Sequence, residues 1–103
     1  MEYKLKFDEL EWQEPDTGIR TKSFESSSKQ IRLIELTNEF SHPHWCEAGH
    51  IGYVLEGVLE IEFESKVESY NSGDVIFIPD GAEHKHRPSC KSGLVSFIST
   101  EIL

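Results

Sequence analysis

Five histidines fall in two short clusters: His42, His44 and His50 in the first, His84 and His86 in the second. Imidazole is the commonest side-chain ligand for transition metals and binds them through a neutral ring nitrogen. Histidines gathered at short spacing therefore point first to a metal centre. A lone buried histidine is ordinarily satisfied by a hydrogen bond, but that explanation has to be repeated several times to cover two clusters. Two more reactive residues, Cys46 and Glu47, lie between His44 and His50. Cys46 offers a thiolate to a soft ion or, alternatively, a small apolar filler for a core.

The elements that position these residues follow from strand geometry, in which residues i and i+2 share a face. His42 and His44 project together, with Cys46 on the same side if the strand runs on. His50, Gly52 and Val54 project together on a second strand, and Tyr53 faces away. His84 and His86 form a third same-face pair if their segment is extended. Three strands that each aim imidazole to one side give the geometry a metal site needs. Gly52 has two readings, open space beside an ion or a close approach of two strands.

Period-two patterning supports strands along most of the chain. Leu59, Ile61 and Phe63 alternate with Glu60, Glu62 and Glu64, and Tyr3, Leu5 and Phe7 alternate with Lys4, Lys6 and Asp8. Strand-rich segments are expected at 30–37, 50–56, 58–64, 67–70, 75–78 and 94–100. Turn residues separate them at 71–73, 79–81 and 91–93, and the serine-rich stretch 23–28 reads as an exposed loop or hairpin turn. Many short strands and no convincing helix predict an all-β antiparallel sandwich or barrel.

Length and composition bound the rest. A chain of 103 residues with 37% hydrophobic content supports one domain, 1–103, with one modest core. Ten basic against nineteen acidic residues leave a net charge of −9, which argues against nucleic acid or an anionic membrane as a partner. The longest apolar run, 75–78, is far too short to span a bilayer. Residues 1–10 alternate charged and apolar groups and lack the apolar stretch of a signal peptide, so a cytoplasmic location is expected. Reduced Cys46 and Cys90 are expected there. The acidic stripe of Glu56, Glu60, Glu62 and Glu64 reads as a solvated face.

Two strings carry a resemblance. Gly73, five residues, Pro79-Asp80-Gly81, two residues and His84 form one; His42-Pro43-His44, followed by His50 and then Gly57, forms the other. They resemble the two motifs of the cupin superfamily in its small single-domain form, across about 30 to 100. The resemblance implies a small antiparallel β-barrel, the double-stranded β-helix or jelly roll. The motif-bearing barrel is 31–100, with 1–30 as N-terminal strands packing at a dimer interface. Carried over position by position, the metal ligands are His42, His44, His50 and His84. The departures are plain: His50 stands where the family usually has Glu, Leu36 replaces the first motif's leading glycine, and Pro88 replaces the second motif's closing Asn.

An all-imidazole set leaves a divalent ion its full charge and suits Zn, Fe, Ni or Cu over Mg or Ca. Glu47 is a candidate extra ligand, and His86, Gly52 and Cys46 are candidates for the pocket or for supporting the ligands. The resemblance implies a metalloenzyme, dioxygenase- or isomerase-like, acting on a small polar molecule. The alternatives are a non-catalytic small-ligand or sensor barrel whose histidines line a pocket, and a metal-stapled structural protein. A homodimer is expected, because Tyr3, Leu5 and Phe7 need cover.

Overall fold

A computed structural model describes residues 3–103, so the first two residues of the expected N-terminal strands lie outside it. Nine strands follow in order: β1 Gln13–Asp16, β2 Ile19–Ser26, β3 Lys29–Thr37, β4 His50–Glu56, β5 Val58–Phe63, β6 Val67–Asn71, β7 Val75–Ile78, β8 His86–Ser89 and β9 Leu94–Ile102. They make a six-stranded sheet, β1-β2-β3-β9-β4-β7, facing a three-stranded sheet, β6-β5-β8. Every pairing is antiparallel. This is the all-β jelly roll that the patterning and the resemblance predict.

Alternation explains the core. On β5, Leu59 and Ile61 turn inward, and on β4 Val54 does the same. They meet Ile34 and Leu36 of β3, Ile76 and Ile78 of β7, and Val95 and Phe97 of β9. Each such aliphatic side chain, once buried, stabilises the fold by roughly 1.5–3 kcal/mol. The same alternation sends Glu62 to solvent, where it meets Arg87 of β8 at 2.9 Å. Both cysteines are free thiols, Cys90 in the core and Cys46 half-buried. Among the described residues no helix is long and apolar enough to cross a membrane.

Three expectations need correction. The serines of 23–26 belong to β2 and pair with 29–32 of β3, so only Ser27 and Ser28 form the turn. Both have positive φ, 52° and 63°, the twist that a two-residue hairpin demands. Residues 3–7 form no strand. No neighbouring strand pairs with them, and an unpaired strand has no stability of its own. Tyr3 and Leu5 stay exposed, while Phe7–Glu9 close a 3-10 turn whose Phe7 carbonyl accepts from Lys22 Nζ at 2.8 Å. The segment before β8 is not extended either: Gly81, at φ 127°, leads into a 3-10 turn over Ala82–His84. His84 and His86 therefore do not share a strand face.

Candidate metal centre

The end of β4 nearest its start gathers the reactive side chains. His50 opens β4 and pairs with Ile78 of β7. Ile51 pairs with Thr100, which brings Glu101 and Ser99 of β9 beside the ring of His50. Arg32 of β3 pairs with Ser99 and joins the same group. His86 opens β8 and pairs with Phe63 at the end of β5.

The loop that delivers Cys46 is braced on both sides. Cys46 and His86 exchange backbone hydrogen bonds of 2.9 and 3.0 Å, which fixes the cysteine to the first residue of β8. The Pro79-Asp80-Gly81 turn holds the other end. Gly81 N donates to the Glu47 carbonyl at 3.0 Å, and Gly49 N donates to Asp80 Oδ1 at 2.6 Å. A Cβ at position 49 would sit 2.4 Å from the Ile78 carbonyl oxygen, so only glycine allows this approach.

One donor atom each from Cys46, His50 and His86 lies within 4.8 Å of the others. Cys46 Sγ is 3.9 Å from His50 Nε2. His50 Nδ1 donates to Glu101 Oε1 at 3.1 Å, which fixes its tautomer and leaves the Nε2 lone pair toward the thiol. His86 is built on the same plan. Its Nδ1 donates to the His84 carbonyl at 3.0 Å, and its Nε2 is buried without a hydrogen-bond partner. The two rings meet edge to face with centroids 4.9 Å apart.

Electrostatics favour the ligating forms. His86 is 2% exposed. Burial pushes its ring below the usual imidazole range, against the opposing hydrogen bond to His84, and the nearby His50 and His42 lower it further. The neutral ring is the one that binds a metal. Burial disfavours the charged form of Glu101, but hydrogen bonds from His50, Arg32 and Ser99 outweigh it and bring its carboxyl down to about 2. Glu101 is therefore an anion that orients His50.

The structure brings together one of the four ligands carried over from the resemblance, His50, and two residues expected beside them, Cys46 and His86. His42 lines the same cavity, with Nδ1 donating to the His44 carbonyl. His44 is exposed. His84 is partly exposed, with Nε2 3.7 Å from Glu83 Oε1, and its carbonyl serves His86. Glu47 is exposed. Gly52 marks a close strand approach: a Cβ there would sit 2.2 Å from the Ile98 carbonyl oxygen.

Glu101, Ser99 and Arg32 escaped the reading of the sequence. A signal was present, since Val95, Phe97 and Ser99 alternate inward and Glu101 continues their series at the barrel's end. A carboxylate at the end of an inward apolar run has to meet a partner.

A cavity of about 540 Å³ opens over the group, lined by Cys46, His50, His86 and His42 at its polar end. A thiol and two imidazoles are a donor set for a transition metal, and the unpartnered Nε2 of His86 is the lone pair such an ion would take. The residues fit a metal.

Comparisons with known proteins agree with this architecture. The polyketide cyclase RemF from Streptomyces resistomycificus superposes with a TM-score of 0.80 at 18% identity, over 99% of this chain and 80% of that one. An RmlC-like cupin from Shewanella frigidimarina gives 0.79 at 15% identity, over 99% and 91%. KdgF from a Halomonas species gives 0.70 at 21% identity, over 93% and 89%. No curated protein matches the sequence. The description of the cupin domain fits residues 35–93, more than half of the length, and the chain belongs to the cupin domain family.

Proposed function

We propose that the barrel binds one divalent transition metal through Cys46, His50 and His86 and presents it to a small molecule in the cavity above. The observation that carries this reading is the buried Nε2 of His86, which has no partner and lies in a cluster of donors. Three protein ligands leave a position open in a tetrahedral ion, the arrangement of catalytic and not structural zinc. Tetrahedral bonds to sulfur and nitrogen need donors about 3.5 Å apart, and Cys46 and His50 stand at 3.9 Å. All three donor atoms lie within 4.8 Å of one another, and the group closes inward to the tetrahedral spacing on binding.

The thiolate refines the choice of ion. Soft sulfur with two imidazoles suits Zn or Cu above Fe or Ni. A bound ion of this kind supplies Lewis-acid polarisation of a substrate oxygen. With zinc bound, isomerase-like chemistry is favoured over dioxygenase-like chemistry. The protein's own part is to hold His50 in one tautomer through Glu101, keep His86 neutral by burial, and exclude bulk water with the apolar walls. A polyketide cyclase on the same fold supports a barrel that works on a bound organic molecule.

Loading with Co²⁺ tests the reading. A thiolate-to-metal charge-transfer band in the near ultraviolet, absent in Cys46→Ser, is the expected result. A cobalt spectrum that Cys46→Ser leaves unchanged would remove the cysteine from the site.

The reading includes a homodimer, formed through the outer face of the six-stranded sheet. Ile51, Tyr53, Val75 and Phe77 stand exposed on the outer face of the six-stranded sheet, Phe77 at 69%. Register places them as neighbours, Ile51 against Phe77 and Tyr53 against Val75. Ile51 and Phe77, with Phe24 and Ile102, line a depression of about 630 Å³. The apolar residues themselves carry no charge, and Lys29 and Asp80, which also line the depression, carry opposite charges.

A further inference from the structure

Arg32 is, among the described residues, the one Lys or Arg side chain lining the barrel cavity. It stands on β3, opposite Ser23 of β2 and Ser99 of β9. Its Nη2 donates to Glu101 Oε1. Its Nε is buried and has no partner.

Glu101 does not take up that remaining donor. Its Oε1 already receives His50, Ser99 and Arg32 Nη2 together. A guanidinium carries five N–H groups in a planar fork whose geometry matches a carboxylate. Part of that fork therefore stands unspent at the polar end of the cavity. The walls beyond it are apolar, formed by Ile34, Leu36, Leu59, Ile61, Ile76 and Phe97. The cavity is thus polar and donor-rich at one end and hydrocarbon elsewhere, and its volume suits a small organic molecule.

We propose that Arg32 anchors the carboxylate of a small ligand with an apolar body, seated in the cavity beside Cys46, His50 and His86. The placement of the carboxylate next to an ion rests on the metal reading above, while the anchoring by Arg32 does not. A neutral carboxamide of the same shape offers the fork one acceptor oxygen and no charge, so the site discriminates by the charged two-oxygen group and not by shape alone. The Glu101 carboxylate bonded to Arg32 and the exposed Asp16 of the lining both disfavour a second negative charge on the ligand, so a monoanion is preferred.

The probe is 2-naphthoate, compared with 2-naphthamide by titration calorimetry. Both are titrated into wild type, Arg32→Gln and Arg32→Lys, each metal-free and zinc-loaded. The expected result is at least tenfold tighter binding of the carboxylate to wild type. Arg32→Gln brings the two compounds within about twofold, and Arg32→Lys, which keeps the charge but loses the fork, falls between. Unchanged affinity for 2-naphthamide shows that the variant cavities remain intact. No binding of 2-naphthoate to wild type at millimolar concentration, or a preference that both variants retain, overturns the proposal. Zinc stoichiometry in the same samples separates the two readings. A preference dependent on Arg32 without zinc binding leaves the anchor standing and removes the metal. Zinc binding without a carboxylate preference does the reverse.

Discussion

His50 Nδ1 and Glu101 Oε1 lie 3.1 Å apart, joining the first residue of β4 to the inward end of β9. A carboxylate behind a ligating imidazole fixes the ring and raises its basicity, and loss of such a partner typically costs 10–100-fold in metal affinity. Glu101→Gln should therefore bind zinc about 10–100-fold more weakly, measured by competition with a chromophoric chelator. Unchanged affinity would mean that the carboxylate serves only Arg32.

Gly52 should not tolerate a side chain. A Cβ there would stand 2.2 Å from the Ile98 carbonyl oxygen, a backbone atom that cannot move without shifting β9. Gly52→Ala should lower stability by about 1–3 kcal/mol through overpacking, read from urea denaturation. An unchanged midpoint would show that the strands separate easily and would return Gly52 to the role of open space.

Much of this was legible in the sequence, and the reasons are physical. The segments 50–56 and 75–78 coincide with β4 and β7 because alternation and flanking turns define a strand locally. The site was legible as a cluster of types and not as a list of ligands. Alternation carried past residue 81 misplaces His84, since the chain turns through a 3-10 step there and only His86 enters the barrel. Cys46 comes to lie beside His50 and His86 because it exchanges backbone bonds with His86, a contact between residues 40 positions apart that no local pattern encodes. Glu101 and Arg32 join through the β3–β9 register, which is equally non-local.

Tyr70 gives the fold a dependence on alkaline pH. Burial raises its phenol, and the hydrogen bond to Glu68 at 2.9 Å and the charges of Glu68 and Asp74 raise it further, to about 12. A group raised in the folded state stabilises fully below its unfolded value, about 10. That stabilisation is lost as pH climbs from there to about 12. Spectrophotometric titration should show one tyrosine step near the upper value that Tyr70→Phe lacks. Denaturation midpoints of wild type should fall toward those of the variant across the same window. Identical alkaline profiles for the two proteins would contradict the assignment.

Self-association should depend on the outer sheet face. Light scattering coupled to size exclusion is expected to give a dimer for wild type and a monomer for Phe77→Glu, which places a charge at the centre of the apolar patch. Removal of residues 1–10 is expected to leave the dimer intact, since that segment supplies none of the residues lining the depression. A wild-type monomer would refute the interface.

The central claim is that Cys46, His50 and His86 hold the metal. Elemental analysis of untagged protein, purified without chelator and reconstituted with zinc, tests it most directly. Cys46→Ser, His50→Ala and His86→Ala would be compared with His44→Ala and His84→Ala. The account predicts one equivalent of zinc in wild type, its loss in the first three variants and its retention in the other two. No bound zinc in wild type, or loss in His44→Ala and His84→Ala with retention in Cys46→Ser and His86→Ala, would contradict it.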